Sequence, residues 1–119
     1  MLIFVYGTLR GGHPYMGDAS FIGDAKAYGY TLFDLGSFPA MIAKDDAHVV
    51  GEVWNIDPDY IEVLDRFEGS TYIRRRIPVY VGKRKKPLYC QTYEFRYRPS
   101  GFDIELFSDW HRHLSRANV

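Results

Sequence analysis

Residues 72–97 read YIRRRIPVYVGKRKKPLYCQTYEFRY, and the fold turns on this stretch. Tyr72 to Val81 and Leu88 to Tyr97 are rich in β-branched and aromatic residues, and the polar connector Gly82 to Pro87 between them predicts a hairpin loop. With Val81 opposite Leu88, Ile77 faces Thr92 and Arg75 faces Glu94. The one charge on the otherwise apolar Ile73, Ile77, Val79 face then gains an opposite partner.

The neighbouring segments extend this β character. Leu2-Ile3-Phe4-Val5-Tyr6 is an apolar run without alternation, stopped by Gly7, which predicts a central strand covered on both faces. Glycines and Pro14 leave no period from Gly11 to Gly17. Extended chain is expected from about Ser20 to Phe33. A turn follows at Gly36, Ser37 and Pro39, then a loop at Asp45-Asp46 and another strand from Val49 to Ile56. Asp57-Pro58 opens a helix, because Asp caps free amides and proline fits the first helical position. Tyr60, Ile61, Leu64 and Phe67 repeat at helical spacing, and Gly69 stands where a left-handed cap ends the helix. After a turn at Pro99-Ser100-Gly101, Leu106, Phe107, Trp110 and Leu114 predict a final amphipathic helix. Several strands with two helices give an α+β, mainly antiparallel fold, for which a small closed barrel is one arrangement.

The chain has 119 residues, enough for one domain, with 46% hydrophobic and 25% charged residues, a globular composition. Fifteen basic and fifteen acidic residues cancel, so no overall field favours nucleic acid or an acidic membrane as a partner. A single cysteine, Cys90, cannot form an internal disulfide. The start Met1-Leu2-Ile3-Phe4 lacks signal-peptide features and no run of about 18 apolar residues occurs, so a cytoplasmic protein is expected. There is no GxxxxGK[ST], GxGxxG, HExxH or paired CxxC, and His111 and His113 fall on different faces of a helix. No metal site and no cofactor are expected. Cys90, on a strand with apolar neighbours, reads as a small core residue. Alternation divides Arg74-Arg75-Arg76 between two faces, and Lys83 to Lys86 reads as a solvated loop.

Two features carry chemical interest. Tyr6-Gly7-Thr8-Leu9-Arg10 ends a buried strand. It is either a tight turn or a loop whose glycine admits a ligand and whose free amides donate to a carboxylate or oxyanion. Glu68 is predicted at the carboxyl end of its helix, where the dipole is unfavourable to a negative charge and its pKa should tend upward. Glu52 is the rival carboxylate, with solvent as its other destination.

These residues resemble the gamma-glutamylcyclotransferase-like family, which includes gamma-glutamylamine cyclotransferases, over nearly the whole length. The matching motifs are Tyr6-Gly7-Thr8-Leu9-Arg10, Leu35-Gly36-Ser37-Phe38-Pro39-Ala40, Val50-Gly51-Glu52-Val53, Leu64-Asp65-Arg66-Phe67-Glu68-Gly69 with Tyr72 and Arg74, and Ser108-Asp109-Trp110. Phe38 departs from the tyrosine of many members, and Ser108 from their glycine. The resemblance implies a small mixed, mainly antiparallel β-barrel with flanking helices and a cavity for a gamma-glutamyl group. It maps the catalytic glutamate onto Glu68 and the substrate-cradling loop onto Tyr6, Gly7, Thr8 and Leu9. Tyr72 and Arg74, two apart on one strand face, could each line the cavity or serve structure. The implied reaction is attack of the substrate's alpha-amine on its own gamma-carbonyl, releasing 5-oxoproline and an amine, with Glu68 as base and then acid. A non-catalytic binding domain for a small carboxylated metabolite and an enzyme acting on a different acyl amine are the alternatives. Neither the leaving amine nor the oligomeric state is readable from sequence.

Overall fold

The computed structural model describes residues 1–99 and 104–117. Five strands form a closed barrel: β1 (Leu2–Val5), β2 (Ser20–Asp34), β3 (Pro39–Asn55), β4 (Tyr72–Val81) and β5 (Leu88–Phe95), in the spatial order β1-β3-β2-β4-β5. All seams are antiparallel except the closing one, where β1 runs parallel to β5 through Ile3 and Gln91. Thr92 reinforces that short seam by donating its hydroxyl to the Phe4 carbonyl at 3.0 Å. Two helices flank the barrel, α1 (Ile61–Glu68) and α2 (Trp110–Ala117). Among the described residues no helix is long and apolar enough to cross a membrane.

The unalternating β1 run is buried on both faces, as its composition predicts. Phe4 joins a cluster with Met41, Val49, Val79 and Trp110, while Ile3 and Val5 pack in a second cluster with Leu9, Leu64 and Tyr93. Gly51 permits the tight β1–β3 seam. A Cβ there would lie 2.3 Å from the Val5 carbonyl oxygen and 2.7 Å from the Phe4 ring.

The hairpin pairs two residues away from the expected register. Val79, not Val81, faces Leu88; Ile77 faces Cys90 and Arg75 faces Thr92. The cause is the barrel: Tyr80 and Val81 turn from β5 to pair with Lys26 and Ala25 of β2. A two-residue shift keeps every side chain on its face, so Arg75 still meets Glu94 diagonally, at 3.4 Å. The other two arginines are separately engaged, Arg74 with Asp65 and Arg76 over the Tyr89 ring.

Asp45-Asp46 does not break the chain into loop. β3 continues through residues 44–47 as a bulge opposite Gly29, with Asp46 at φ +63° and Gly29 at φ +85°. Such a bulge bends a long strand pair around a barrel. β5 ends at Phe95, before the expected Tyr97.

Asp57 caps as predicted, accepting from the Asp59 amide at 3.0 Å, but the first turn, Pro58–Tyr60, is a 3-10 helix that leads into α1. Gly69 has the expected positive φ, +79°, with an extended ψ of −172°. Leu106 and Phe107 precede α2. Phe107 instead exchanges backbone hydrogen bonds with Leu32, and Leu114 is exposed. The turn expected at Pro99-Ser100-Gly101 falls partly outside the described residues. Cys90 is fully buried, and burial pushes its thiol up to about 11, which keeps it protonated at neutral pH.

Candidate active site

Where β1 ends, the chain turns sharply. Gly7 accepts from the Arg10 amide at 3.0 Å and packs against Pro39, whose Cγ would lie 2.8 Å from a Cβ on Gly7. The close approach therefore requires glycine. The amides of Gly7, Thr8 and Leu9 find no acceptor among the described residues. They border an open pocket that encloses about 370 Å3 of space, solvent at its mouth included.

Tyr6, Gly7, Thr8, Leu9, Glu68 and Tyr72 all line this cavity, together with Phe4, Val5, Phe38, Pro39 and Tyr93. Six of the seven residues singled out from sequence are thus brought together. Arg74 is not among the lining residues; its Nε lies 3.2 Å from Asp65 Oδ1, on the side where α1 meets β4. Thr8 is exposed at the loop tip, whereas Leu9 is anchored in the core beneath it.

Glu68 ends α1 and is half-buried. It contributes the only formal charge among the described lining side chains. Burial pushes its carboxyl from the ordinary 4.5 up to about 7, with no offsetting cation or donor among the described residues. The upward direction agrees with the sequence reading, but desolvation rather than the helix dipole is its main cause. Three tyrosines surround the site. Burial, with the nearby Glu68 charge, pushes the hydroxyls of Tyr6 and Tyr72 well up, so both remain protonated donors. Tyr72 donates to the Pro39 carbonyl at 2.8 Å, tying the 34–39 turn to β4, and Tyr6 donates to the Tyr93 carbonyl. Phe38, 52% exposed, forms part of the rim.

Glu52 lies outside the cavity. Its Oε1 accepts from the Gly11 amide at 2.8 Å and from Trp54 Nε1 at 3.1 Å, which accounts for the carboxylate structurally. Arg10 is likewise structural: its Nη1 donates to Asp109 at 2.9 Å and its Nε sits 3.8 Å from Glu52. Among the described residues no group of three or more His, Cys, Asp or Glu is placed to hold a metal ion.

Tyr93 and Asp65 were missed in the sequence. Alternation places Thr92 inward and Tyr93 outward on β5, yet α1 covers that outer face, so both are buried. Only knowledge of where the helix docks would have singled out Tyr93.

The sequence profile described as "Gamma-glutamyl cyclotransferase, AIG2-like" matches residues 3–112. Two relatives bear the name "Putative gamma-glutamylcyclotransferase". That of Vibrio cholerae is 37% identical over 79 residues, 63% of this chain and 68% of that protein. That of Methanocaldococcus jannaschii is 29% identical over 91 residues, 71% of this chain and 76% of that protein. Among solved structures, an uncharacterised Pyrococcus horikoshii protein superposes with a TM-score of 0.78 at 23% identity, covering 99% of this chain and 96% of that one. A mouse AIG2-like protein does so with a TM-score of 0.73 at 25% identity, covering 92% and 86%. The motifs, the barrel and the extent of the match together make this chain a member of the AIG2-like gamma-glutamyl cyclotransferase family.

Proposed function

We propose that the protein converts a gamma-glutamyl amine or gamma-glutamyl amino acid to 5-oxoproline and a free amine, with Glu68 as the proton carrier and no cofactor. One observation carries this reading: among the described residues a single carboxyl, poised near neutrality, faces a small pocket bordered by backbone amides that have no acceptor.

The chemistry follows from that arrangement. The substrate's alpha-ammonium gives a proton to Glu68, and the freed nitrogen attacks the gamma-carbonyl carbon to close a five-membered ring. The carbonyl electron pair moves to oxygen, where the Gly7, Thr8 or Leu9 amides serve as donors. Collapse breaks the bond to the leaving nitrogen, to which Glu68 returns that proton, and the second proton shed by the ring nitrogen goes to the departing amine, which leaves as an ammonium. Nucleophile and electrophile share one molecule, so folding the substrate removes most of the entropic barrier. A carboxyl near pH 7 suits both proton transfers, worth about 100-fold to 10,000-fold, and an oxyanion donor adds roughly 3–4 kcal/mol. Tyr6 and Tyr72, held protonated, close the walls without adding charge.

The test is 5-oxoproline release from a panel of gamma-glutamyl amines and amino acids. Turnover is expected for at least one substrate, with a loss of about 100-fold or more in Glu68→Gln and near-normal rates in Glu52→Gln. If the unmodified protein binds panel members but releases no 5-oxoproline from any, the reading fails.

A further inference from the structure

The Glu68 carboxyl has no hydrogen-bond partner among the described residues, so its position depends on how α1 is set against the barrel. Two turns of helix are too short to hold shape unaided, and only Leu64 of α1 is fully buried. Ile61 and Phe67 pack against the same cluster from half-buried positions, and a polar attachment adds to these apolar ones. Asp65 precedes Glu68 by three residues and so shares its side of the helix. Its Oδ1 accepts from Tyr93 Oη on β5 at 2.6 Å and lies 3.2 Å from Arg74 Nε on β4. Tyr93 also lines the cavity, and its carbonyl receives the Tyr6 hydroxyl. One carboxylate thus joins the helix to two strands, one turn from Glu68.

We propose that Asp65, Arg74 and Tyr93 form a clamp that fixes the rotation of α1 and so holds the Glu68 carboxyl in the cavity, with Asp65 and Arg74 acting as positioning residues. Arg74 thereby has a role distinct from the substrate contact implied by resemblance. The side chains of Arg74 and Asp65 are 36% and 39% exposed, so their ion pair adds little to global stability. Its geometric leverage is larger. A side-chain tip about 5–6 Å from the helix axis moves roughly 1 Å for a rotation of about 10°, and a 1 Å misplacement can cost about 100-fold in rate.

Asp65→Ala combined with Arg74→Ala removes one charge of each sign, and Tyr93→Phe removes none. Net charge around Glu68 is then constant. The titratable groups facing it are Tyr6 from the end of β1, Tyr72 from β4 and Tyr93 from β5, with Asp65 on its own helix. Of these, Tyr6 and Tyr72 stay in place in both variants. Two readouts apply, and only the kinetic one rests on the cyclotransferase reading. Carbon-13 NMR of the Glu68 carboxyl should show its midpoint falling from about 7 toward 4.5 as water reaches the loosened group. In the cyclisation assay kcat should fall about tenfold or more with KM little changed. In a Glu68→Gln background the double change should cost nothing more. An unmoved midpoint in variants that remain folded overturns the clamp, whether or not the protein turns over any substrate. A rise in KM at unchanged kcat also overturns it, and returns Arg74 to substrate contact.

Discussion

Replacing Glu68 by glutamine should stabilise the protein, and only at high pH. The carboxyl stands at about 7 instead of 4.5 because burial penalises its ionised form. At 1.36 kcal/mol per pH unit, ionising it in the folded protein costs on the order of 3 kcal/mol. Water at the half-buried rim reduces this to about 1–3 kcal/mol. The folded-state value lies above the unfolded one, so the unfolded chain releases this proton first as pH rises. Stability is intact below about pH 4.5 and is lost as pH climbs through 7. Glutamine keeps the shape and carries no charge, and no hydrogen bond to Glu68 is lost among the described residues. Urea unfolding of both proteins should therefore coincide near pH 4.5 and separate by about 1–3 kcal/mol at pH 8, with the variant more stable. In thermal melts this is a rise of roughly 3–5 °C per kcal/mol for a domain of this length. In the unmodified protein kcat/KM should climb as pH passes 7, because the base must be ionised. A stability difference equal at pH 4.5 and pH 8 would refute the desolvation argument, and with it the physical basis for choosing Glu68.

Three further outcomes are expected. Gly51→Ala places a Cβ 2.3 Å from the Val5 carbonyl oxygen, so it should destabilise by about 1–3 kcal/mol or more, read as a fall in the urea midpoint. Burial raises the Asp109 carboxyl, but the hydrogen bond from Arg10, backbone amides and the Arg10 charge outweigh it and hold it below its ordinary value. Asp109→Asn should accordingly cost about 1–2 kcal/mol at neutral pH. That cost should vanish in urea titrations as pH falls through the depressed Asp109 value, where the native residue is also neutral. Treatment with a strong chelator and buffer exchange should leave 5-oxoproline release unchanged; activity restored by one divalent ion would contradict the cofactor-free mechanism.

What the sequence made legible were features with local causes. The unalternating run Leu2 to Val5 had to be covered twice, and it is. The Asp57-Pro58 start and Gly69 stop bracket a helix because capping acts within one turn. Glu68 follows directly from that bracket, since a residue fixed at a helix end is fixed in space once the helix docks. The failures had causes distant along the chain. The hairpin register was read from its own two strands, whereas Tyr80 and Val81 were claimed by β2, about 55 residues earlier in sequence. Tyr93 was hidden because the partner covering it lies on α1.

Arg10 shows how such distant causes bind the motifs together. In the sequence it closes the loop motif Tyr6 to Arg10, one residue beyond the cradle that the resemblance implies. In the fold its side chain turns away from the cavity, only 10% exposed, toward Glu52 of β3 and Asp109 before α2. Asp109 in turn accepts from the Arg112 amide at 3.3 Å, and the neighbouring Ser108 carbonyl receives the Val50 amide at 2.8 Å. One guanidinium therefore joins three of the motifs that the chain shares with its family, from its beginning, middle and end. The loop's backbone faces the cavity while its terminal side chain fastens the loop to the barrel. A motif read as one functional unit thus divides into a part available to ligand and a part that holds it still. That division is what a loop of free amides requires, because donors that serve a developing oxyanion must be fixed before the charge arrives.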